Sequence, residues 1–372
     1  MGVQSGSLVR GPAWLNETVM FVPRVSEQPG GSHRRLENLG VAMKNGRARI
    51  AVASLAAAAC LFNVGCERHS ASEQYYLIAA NIGLPYWKIA NDGLQAAAIL
   101  YGVKAEMRGP NSLDAKAEAD EFDAMVARKP AGILVSAADP KLMQPEIDKA
   151  LAAGIPVITI DSDAPESQRL YFIGTNNLQA GRLGGQRLVQ KLDGKGNVVF
   201  FTINGQLNIA ERLKGYKDIL ADHPAIKIVD VVDTHGDSGE AMDKATAYLA
   251  RKGADNVNAF VCLEASAGDG VAEALKRADA KDRLVVAMDA DPDTLNWVKE
   301  GVIDSTIAQK PFTMAYYGLK GLDDVHHYPP KEKLSTDFSL ESNSPYPAFV
   351  DTGVSLVDST NVDGFLKGKQ SQ

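Results

Sequence analysis

Polar residues of this sequence recur at one position, directly after apolar runs of strand length. They are Asn81, Ser136 to Asp139, Asp161 to Asp163, the NGQLNIAER turn that ends at Arg212, Asp233 to Asp237, Glu264, Asp289 and Gln309. Carboxylates, amides and guanidinium groups form paired, charge-assisted hydrogen bonds to neighbouring hydroxyl groups. The PYW segment at residues 85–87 adds flat apolar faces that can stack on the C–H side of a sugar ring. The pattern favours recognition of a small polyhydroxy molecule.

The apolar runs alternate with amphipathic helix patterns, which predicts two series of βαβ units. The first series runs from YYLIAAN (75–81) to IPVITID (155–161), and the second from GNVVFFT (196–202) to IDSTIAQ (303–309). Such strands, separated by helices, predict an α/β fold with two lobes, each a parallel sheet covered by helices on both faces. A further helix and the last strands beyond Gln309 are expected to close back over both lobes. Because ligands bind outside the carboxyl ends of parallel strands, the polar residues are expected to meet in a cleft.

Each polar residue also has a purely structural alternative. An aspartate after a parallel strand often caps the next helix, so Asp161 and Asp289 could be only caps. Arg212 could pair with Glu211 or Asp218 on a helix surface. Polar residues at successive strand ends in both series favour a binding site over a set of separate caps.

The two aromatic residues of the PYW segment and the last polar strand end have alternatives of the same kind. Tyr86 and Trp87 could be core packing on one face of a helix. Gln309, which precedes Lys310 and Pro311, could be a plain strand end. These alternatives stay open at the level of sequence.

Charge and motifs argue against nucleic-acid binding and catalysis. The formal charge is −7, and residues 67–372 account for −11 because residues 1–66 contain seven Lys or Arg and three Glu. An acidic surface disfavours nucleic acid as a partner.

The sequence contains no GxSxG or GxxxxGK[ST] motif and no GxGxxG after the first strand. The glycines of GRLGGQRL (181–188) lie within a helix pattern and predict close helix packing. We therefore expect neither catalytic residues nor a cofactor.

Histidine and cysteine usage predicts neither a metal site nor a disulfide. The His326–His327 pair is expected on a loop before YPP, where neighbouring side chains diverge and make a poor metal site. Cys60 and Cys66 belong to the N-terminal segment, so only Cys262 remains in the body of the chain. Cys262 lies within AFVCLE and is predicted to be a small buried hydrophobe.

An export signal is predicted downstream of Met1. Met43 begins a basic segment, MKNGRARI, which is followed by the apolar residues 51–65 and then by Cys66. A positive region, a short apolar region and small residues before a cut are typical of a signal peptide, here residues 43–66, and the apolar region is too short to span a bilayer. An alternative is a buried helix of an N-terminal domain. Residues 1–42 have no helix or strand period and are interpreted as a disordered leader or an incorrectly assigned start.

The cut position resembles the bacterial lipoprotein box. In that box a cysteine, here Cys66, follows small residues and becomes the acylated N-terminus. Asn63 stands where the box usually has leucine. The resemblance implies a protein exported to the periplasm or cell surface and anchored to the membrane through Cys66.

The body of the chain resembles the type 1 periplasmic solute-binding proteins, the family of the ribose-binding protein, from about Gln74 to about Lys367. The motifs that match in order and spacing are TIDSDAP, YFIGTNNLQAGRLGG, AERLKGY, VAMDADPDTLNWVKEG and STIAQKPFTMAYYGLK. The resemblance implies two Rossmann-like lobes joined by three hinge strands. One lobe is then residues 74–175 with 310–345, and the other is residues 176–309 with 346–372.

The family's ligand contacts fall on residues of the same strand ends. The contacts implied are Asn81, Tyr86, Trp87, Asp161, Ser162, Arg212, Glu264, Asp289 and Gln309. Asp161 and Asp289 would accept hydrogen bonds from sugar hydroxyls and Arg212 would donate. Three positions depart from the ribose-binding pattern, because Ser162 replaces a common arginine, Glu264 an asparagine, and Glu240 an aromatic residue. The pocket is therefore expected to be more acidic, which leaves a larger sugar, a polyol or an amine-bearing ligand open.

The function implied by the resemblance is that of an exported substrate-binding protein of an ABC transporter. It would capture a monosaccharide between its lobes by hinge closure and deliver it to a membrane permease. It is expected to be a monomer, and no enzyme. The alternatives are a sensor that presents its ligand to a chemoreceptor or histidine kinase, a binder of a cationic or other non-sugar molecule, and an exported enzyme acting on sugars.

Overall fold

The computed structural model describes residues 69–330 and 338–370. The predicted leader (1–42), the predicted signal peptide (43–66) and its Cys66 lie outside the described residues. Along the described chain, no helix combines the length and the apolar character that a membrane crossing requires.

Two series of alternating strands and helices make up the described chain. The first series is β1 (Gln74–Ile78), α1 (Pro85–Tyr101), β2 (Lys104–Arg108), α2 (Ala115–Val126), β3 (Gly132–Val135), α3 (Pro140–Ala152), β4 (Val157–Ile160) and β5 (Phe172–Gly174). The second is α4 (Asn177–Lys191), β6 (Gly196–Thr202), α5 (Leu207–Leu220), β7 (Ile226–Asp233), α6 (Ser238–Leu249), β8 (Ala259–Cys262), α7 (Ala265–Arg277), β9 (Leu284–Met288), α8 (Pro292–Glu300) and β10 (Ser305–Ala308). The chain then forms α9 (Pro311–His327), β11 (Phe349–Asp351), β12 (Ser355–Asp358) and α10 (Val362–Gln370).

The strands form two six-stranded sheets with corresponding orders. The first sheet is ordered β11-β5-β4-β3-β1-β2 and the second β12-β10-β9-β8-β6-β7. Every strand pair is parallel except β10 with β12. Strands such as β3 (GILV) and β8 (AFVC) are buried at every residue, because helices cover both faces of each sheet. The predicted α/β class with two Rossmann-like lobes is confirmed.

The chain passes between the sheets at three places. It crosses between β5 and α4, between β10 and α9, and between β11 and β12. Because β11 pairs with β5, the last crossing lies after Asp351, not at the predicted residue 346. The pairing joins segments far apart in the chain, and a local pattern does not reveal it.

Glycines let two helix pairs approach closely, as GRLGGQRL predicted for one of them. A Cβ atom at Gly181 of α4 would lie 2.0 Å from the carbonyl oxygen of Arg212 in α5. A Cβ atom at Gly93 of α1 would lie 2.1 Å from the carbonyl oxygen of Phe312 in α9. The absent side chain of Gly181 therefore fixes how near α5, and with it Arg212, sits to α4.

The structure also tests the predictions for Cys262 and for the His326–His327 pair. Cys262 is buried and free, as predicted. The expectation that His326 and His327 lie on a loop is wrong, because α9 continues through both and ends at His327. Both histidines lie in the last turn of α9, where a positive charge is favourable.

Candidate functional site

The carboxyl ends of both sheets face one cavity between the lobes. Its polar and aromatic lining includes Asn81, Tyr86, Trp87, Ser136 and Asp161 from the first lobe, Gln206, Asn208, Arg212, Glu264 and Asp289 from the second, and Gln309 at a crossing. The structure thus brings together eight of the nine ligand contacts implied by the sequence. The exception is Ser162, which is buried but does not line the cavity. Glu240, in the first turn of α6, does not line it either and pairs with His235.

Asp161 and Asp289 occupy corresponding positions at the ends of β4 and β9. Both have left-handed backbone conformations, with φ of 65° and 74°. Neither caps a helix, since β4 leads directly to β5 and the cap of α8 is Asp291. A positive φ is uncommon at a residue other than glycine, and aspartate tolerates it better than most. The capping alternative therefore fails for both aspartates.

The Asp161 carboxylate joins the two lobes. Its Oδ1 accepts a hydrogen bond of 2.6 Å from the hydroxyl of Tyr86 in α1. Its Oδ2 accepts one of 3.3 Å from the amide of Asn208 in α5, which belongs to the second lobe. This bond, between buried groups, shows that the lobes are closed on each other.

Tyr86 and Trp87 both pack in the core and line the cavity. Their rings lie 5.3 Å apart in an edge-to-face arrangement and belong to the core between α1 and the first sheet. Both also line the cavity. The aromatic wall is therefore rigid, because the core holds it from behind.

Arg212 is buried and held by neutral acceptors. Its Nε donates to Asn177 Oδ1 at 2.9 Å, and its Nη1 donates to the carbonyl oxygen of Leu263 at 2.8 Å. Among the described residues, its Nη2 has no partner. The surface-pair alternative with Glu211 or Asp218 fails, because Arg212 is buried and Asp218 pairs with Arg182 and Lys214 instead.

Gln309 and Glu264 both line the cavity, but only Glu264 also caps a helix. Gln309 Nε2 donates to Asp289 Oδ1 at 2.8 Å, and its buried Oε1 has no partner within the described chain. Glu264 is the N-cap of α7 and accepts from the backbone N–H groups of Ser266 and Ala267 at 2.6 and 2.8 Å. Glu264 thus combines a capping role with its place in the cavity wall.

The electrostatics of the cavity are dominated by three buried carboxylates around one guanidinium group. Burial raises the pKa of Asp161 and of Glu264, and it raises the pKa of Asp289 to about 7. The Arg212 guanidinium opposes the shift at all three. Burial, and then the Asp161 charge, also raise the pKa of Tyr86, so its hydroxyl stays a donor.

The unpartnered polar atoms indicate what the cavity is built to receive. A buried donor or acceptor without a partner costs about 1–3 kcal/mol. Arg212 Nη2 is such a donor and Gln309 Oε1 is such an acceptor. Hydroxyl groups donate and accept, so a polyhydroxy ligand could satisfy both. Among the described residues that line the cavity there is no histidine, lysine or cysteine.

Sequence reasoning missed Asn208 and Asn177. Asn208 lies in the NGQLNIAER turn, where nothing local distinguishes it from other residues at a helix start. Asn177 begins α4, and its side chain reaches Arg212 only through the packing of two helices.

Comparison with known proteins gives consistent matches. A family model described as "Periplasmic binding protein domain" matches residues 75–325. The D-allose-binding periplasmic protein of Escherichia coli (strain K12) is 24% identical over 267 residues, covering 68% of this chain and 85% of that protein. A solved sugar-binding protein of a sugar ABC transporter from Bacillus halodurans has a TM-score of 0.71 and 34% identity, covering 79% of this chain and 100% of that one. An arabinose binding protein from Geobacillus stearothermophilus has a TM-score of 0.66 and 33% identity, covering 79% and 99%.

Proposed function

The chain belongs to the periplasmic binding protein domain family, and on that premise we propose that it captures a monosaccharide between its lobes and delivers it to an ABC permease. The relatives named above are described as binding D-allose or arabinose, or as sugar-binding proteins of ABC transporters. The observation that carries the proposal to this chain is the pair of unpartnered groups, Arg212 Nη2 and Gln309 Oε1, on two residues that line one cavity with Tyr86 and Trp87.

Hinge closure is the proposed mechanism. Polar groups of both lobes line one cavity, so a sugar that contacts both has more interactions in the closed form than in the open form. A ligand shifts such an equilibrium by its difference in affinity for the two forms. The closed form is then the one that a permease recognises.

A cationic ligand is the second candidate. Three buried carboxylates, Asp161, Glu264 and Asp289, face a single Arg212. An amine-bearing ligand would balance that charge. Asp289, with a pKa of about 7, could instead be protonated and donate to a sugar hydroxyl.

A thermal-shift screen distinguishes the two ligand classes. The purified chain, unfolded and refolded to remove bound ligand, would be screened against pentoses, hexoses, polyols and small amines. A ligand present at 100 times its dissociation constant stabilises the fold by about 2.7 kcal/mol, which raises Tm by several degrees. We expect a shift with one or a few monosaccharides. A flat response to all sugars together with a shift from an amine would replace the sugar proposal by the cationic one.

We also propose that the protein is exported and anchored to the membrane through Cys66. The support is the sequence of residues 43–66, where a basic segment and a short apolar segment precede the cysteine. Cells fed a palmitate analogue are expected to label the wild-type protein and not Cys66→Ala. Equal labelling of the two proteins would refute the anchor.

A further inference from the structure

Four side chains with the chemistry of metal ligands meet at the first lobe, away from the cleft. They are His69, Glu73, Asp323 and His327, and one potential ligand atom from each lies within 4.8 Å of all the others. His69 Nδ1 is 3.1 Å from Asp323 Oδ1, and His327 Nε2 is 3.1 Å from Glu73 Oε2. His327 Nε2 is also 3.5 Å from Asp323 Oδ1.

The fold brings these residues together from two distant parts of the chain. His69 and Glu73 precede β1, whereas Asp323 and His327 lie one turn apart on the same face at the end of α9. Both pairs sit at the amino end of β1, and the cleft lies at its carboxyl end. The cluster is therefore separate from the ligand site by the length of the strand.

The spacing of the ligand atoms fits a four-coordinate ion. Zinc binds nitrogen and oxygen at about 2.0–2.2 Å in a tetrahedron, which places ligand atoms about 3.3 Å apart. Three of the six distances between these atoms are 3.1, 3.1 and 3.5 Å, and the others do not exceed 4.8 Å. Side-chain rotations would have to shorten the longer distances to reach tetrahedral spacing.

Burial and charge also favour a cation here. The exposed fraction of the side chain is 4% for Asp323, 13% for Glu73 and 16% for His327, and 30% for His69, which leaves an entry path. The hydroxyl of Tyr75 donates to Asp323 Oδ1 at 3.3 Å and orients that carboxylate, as outer partners do at metal sites. With neutral imidazoles the cluster has a charge of −2.

We propose that His69, Glu73, Asp323 and His327 bind one Zn²⁺ ion, which fastens the segment before β1 to the end of α9. Two imidazoles with two carboxylates suit zinc and related transition metals, whereas Mg²⁺ and Ca²⁺ prefer oxygen ligands alone. The inference goes beyond the proposed sugar capture and does not depend on it.

Zinc binding to the tag-free full chain tests the proposal. Metal-free protein would be dialysed against Zn²⁺ and its metal content measured by atomic absorption. We expect one zinc per chain, unaffected by excess Mg²⁺. Affinity is expected to fall at least about tenfold in His69→Ala and in Glu73→Gln, since loss even of an outer partner costs about 10–100-fold.

The neighbouring His326 provides a matched control. Its ring meets those of His327 and Tyr75 edge to face but is not one of the four ligands, so His326→Ala is expected to keep the wild-type stoichiometry and affinity. Circular dichroism would check that each variant is folded. Absence of stoichiometric zinc, equal affinity in wild type and His69→Ala, or an equal loss in His326→Ala would each overturn the assignment.

Discussion

Replacing Arg212 with alanine is expected to weaken ligand binding by about thirtyfold or more. Asn177 and the Leu263 carbonyl hold two of its donors, so its free Nη2 is fixed in place before a ligand arrives. Removing one partner of a buried, charged hydrogen bond costs about 2–5 kcal/mol in binding, and about 2 kcal/mol is thirtyfold. Isothermal titration with the ligand identified by thermal shift would measure the change.

Two further variants make the result interpretable. Arg212→Lys keeps the positive charge beside the three carboxylates but lacks the planar fork, so it should fold and still bind at least about tenfold more weakly. Arg182→Ala removes a partly exposed arginine that pairs with Asp218 on the outer helices, and its affinity should match the wild type. If Arg212→Ala binds within threefold of the wild type, Arg212 does not contact the ligand.

The stability of the ligand-free protein is expected to fall as pH rises from about 4 to about 7. Burial raises the pKa of Asp289 from 3.8 to about 7, so in this range the folded state holds a proton that the unfolded state has released. Unfolding is therefore increasingly favoured with rising pH, up to the folded pKa. Between pH 5 and 7.5 this one group corresponds to a loss of about 2 kcal/mol.

Urea denaturation of wild type and Asp289→Asn at several pH values would measure this effect. The variant should show a shallower decline, with the remainder due to other buried carboxylates. Glu118 is one of these, since burial raises its pKa to about 8. It does not line the cavity, so Glu118→Gln should also flatten the decline but leave the pH dependence of ligand affinity unchanged. Superimposable curves for wild type and Asp289→Asn would show that Asp289 ionises normally in the fold.

The sequence predicted the architecture because alternating apolar strands and helices repeat over long stretches. It predicted where the site lies because strand ends converge in parallel sheets. It could not show which strand-end residues cap a helix, since that depends on backbone conformation. Asp289 and Glu264 both line the cavity, but only Glu264 is also a cap. Ser162 is the neighbour of Asp161 in sequence yet does not line the cavity. Asn208 and β11 depend on contacts between distant segments.

The matching strand orders of the two sheets give the lobes corresponding strand ends at the cleft. Asp161 and Asp289 are such a pair, with the same left-handed conformation and corresponding backbone bonds to Ile173 and Ile307. A ring-shaped ligand would meet equivalent acceptors at its two ends, and these alone do not define its orientation. Handedness in recognition must then come from groups without a counterpart, which are the aromatic wall of the first lobe and Arg212 of the second.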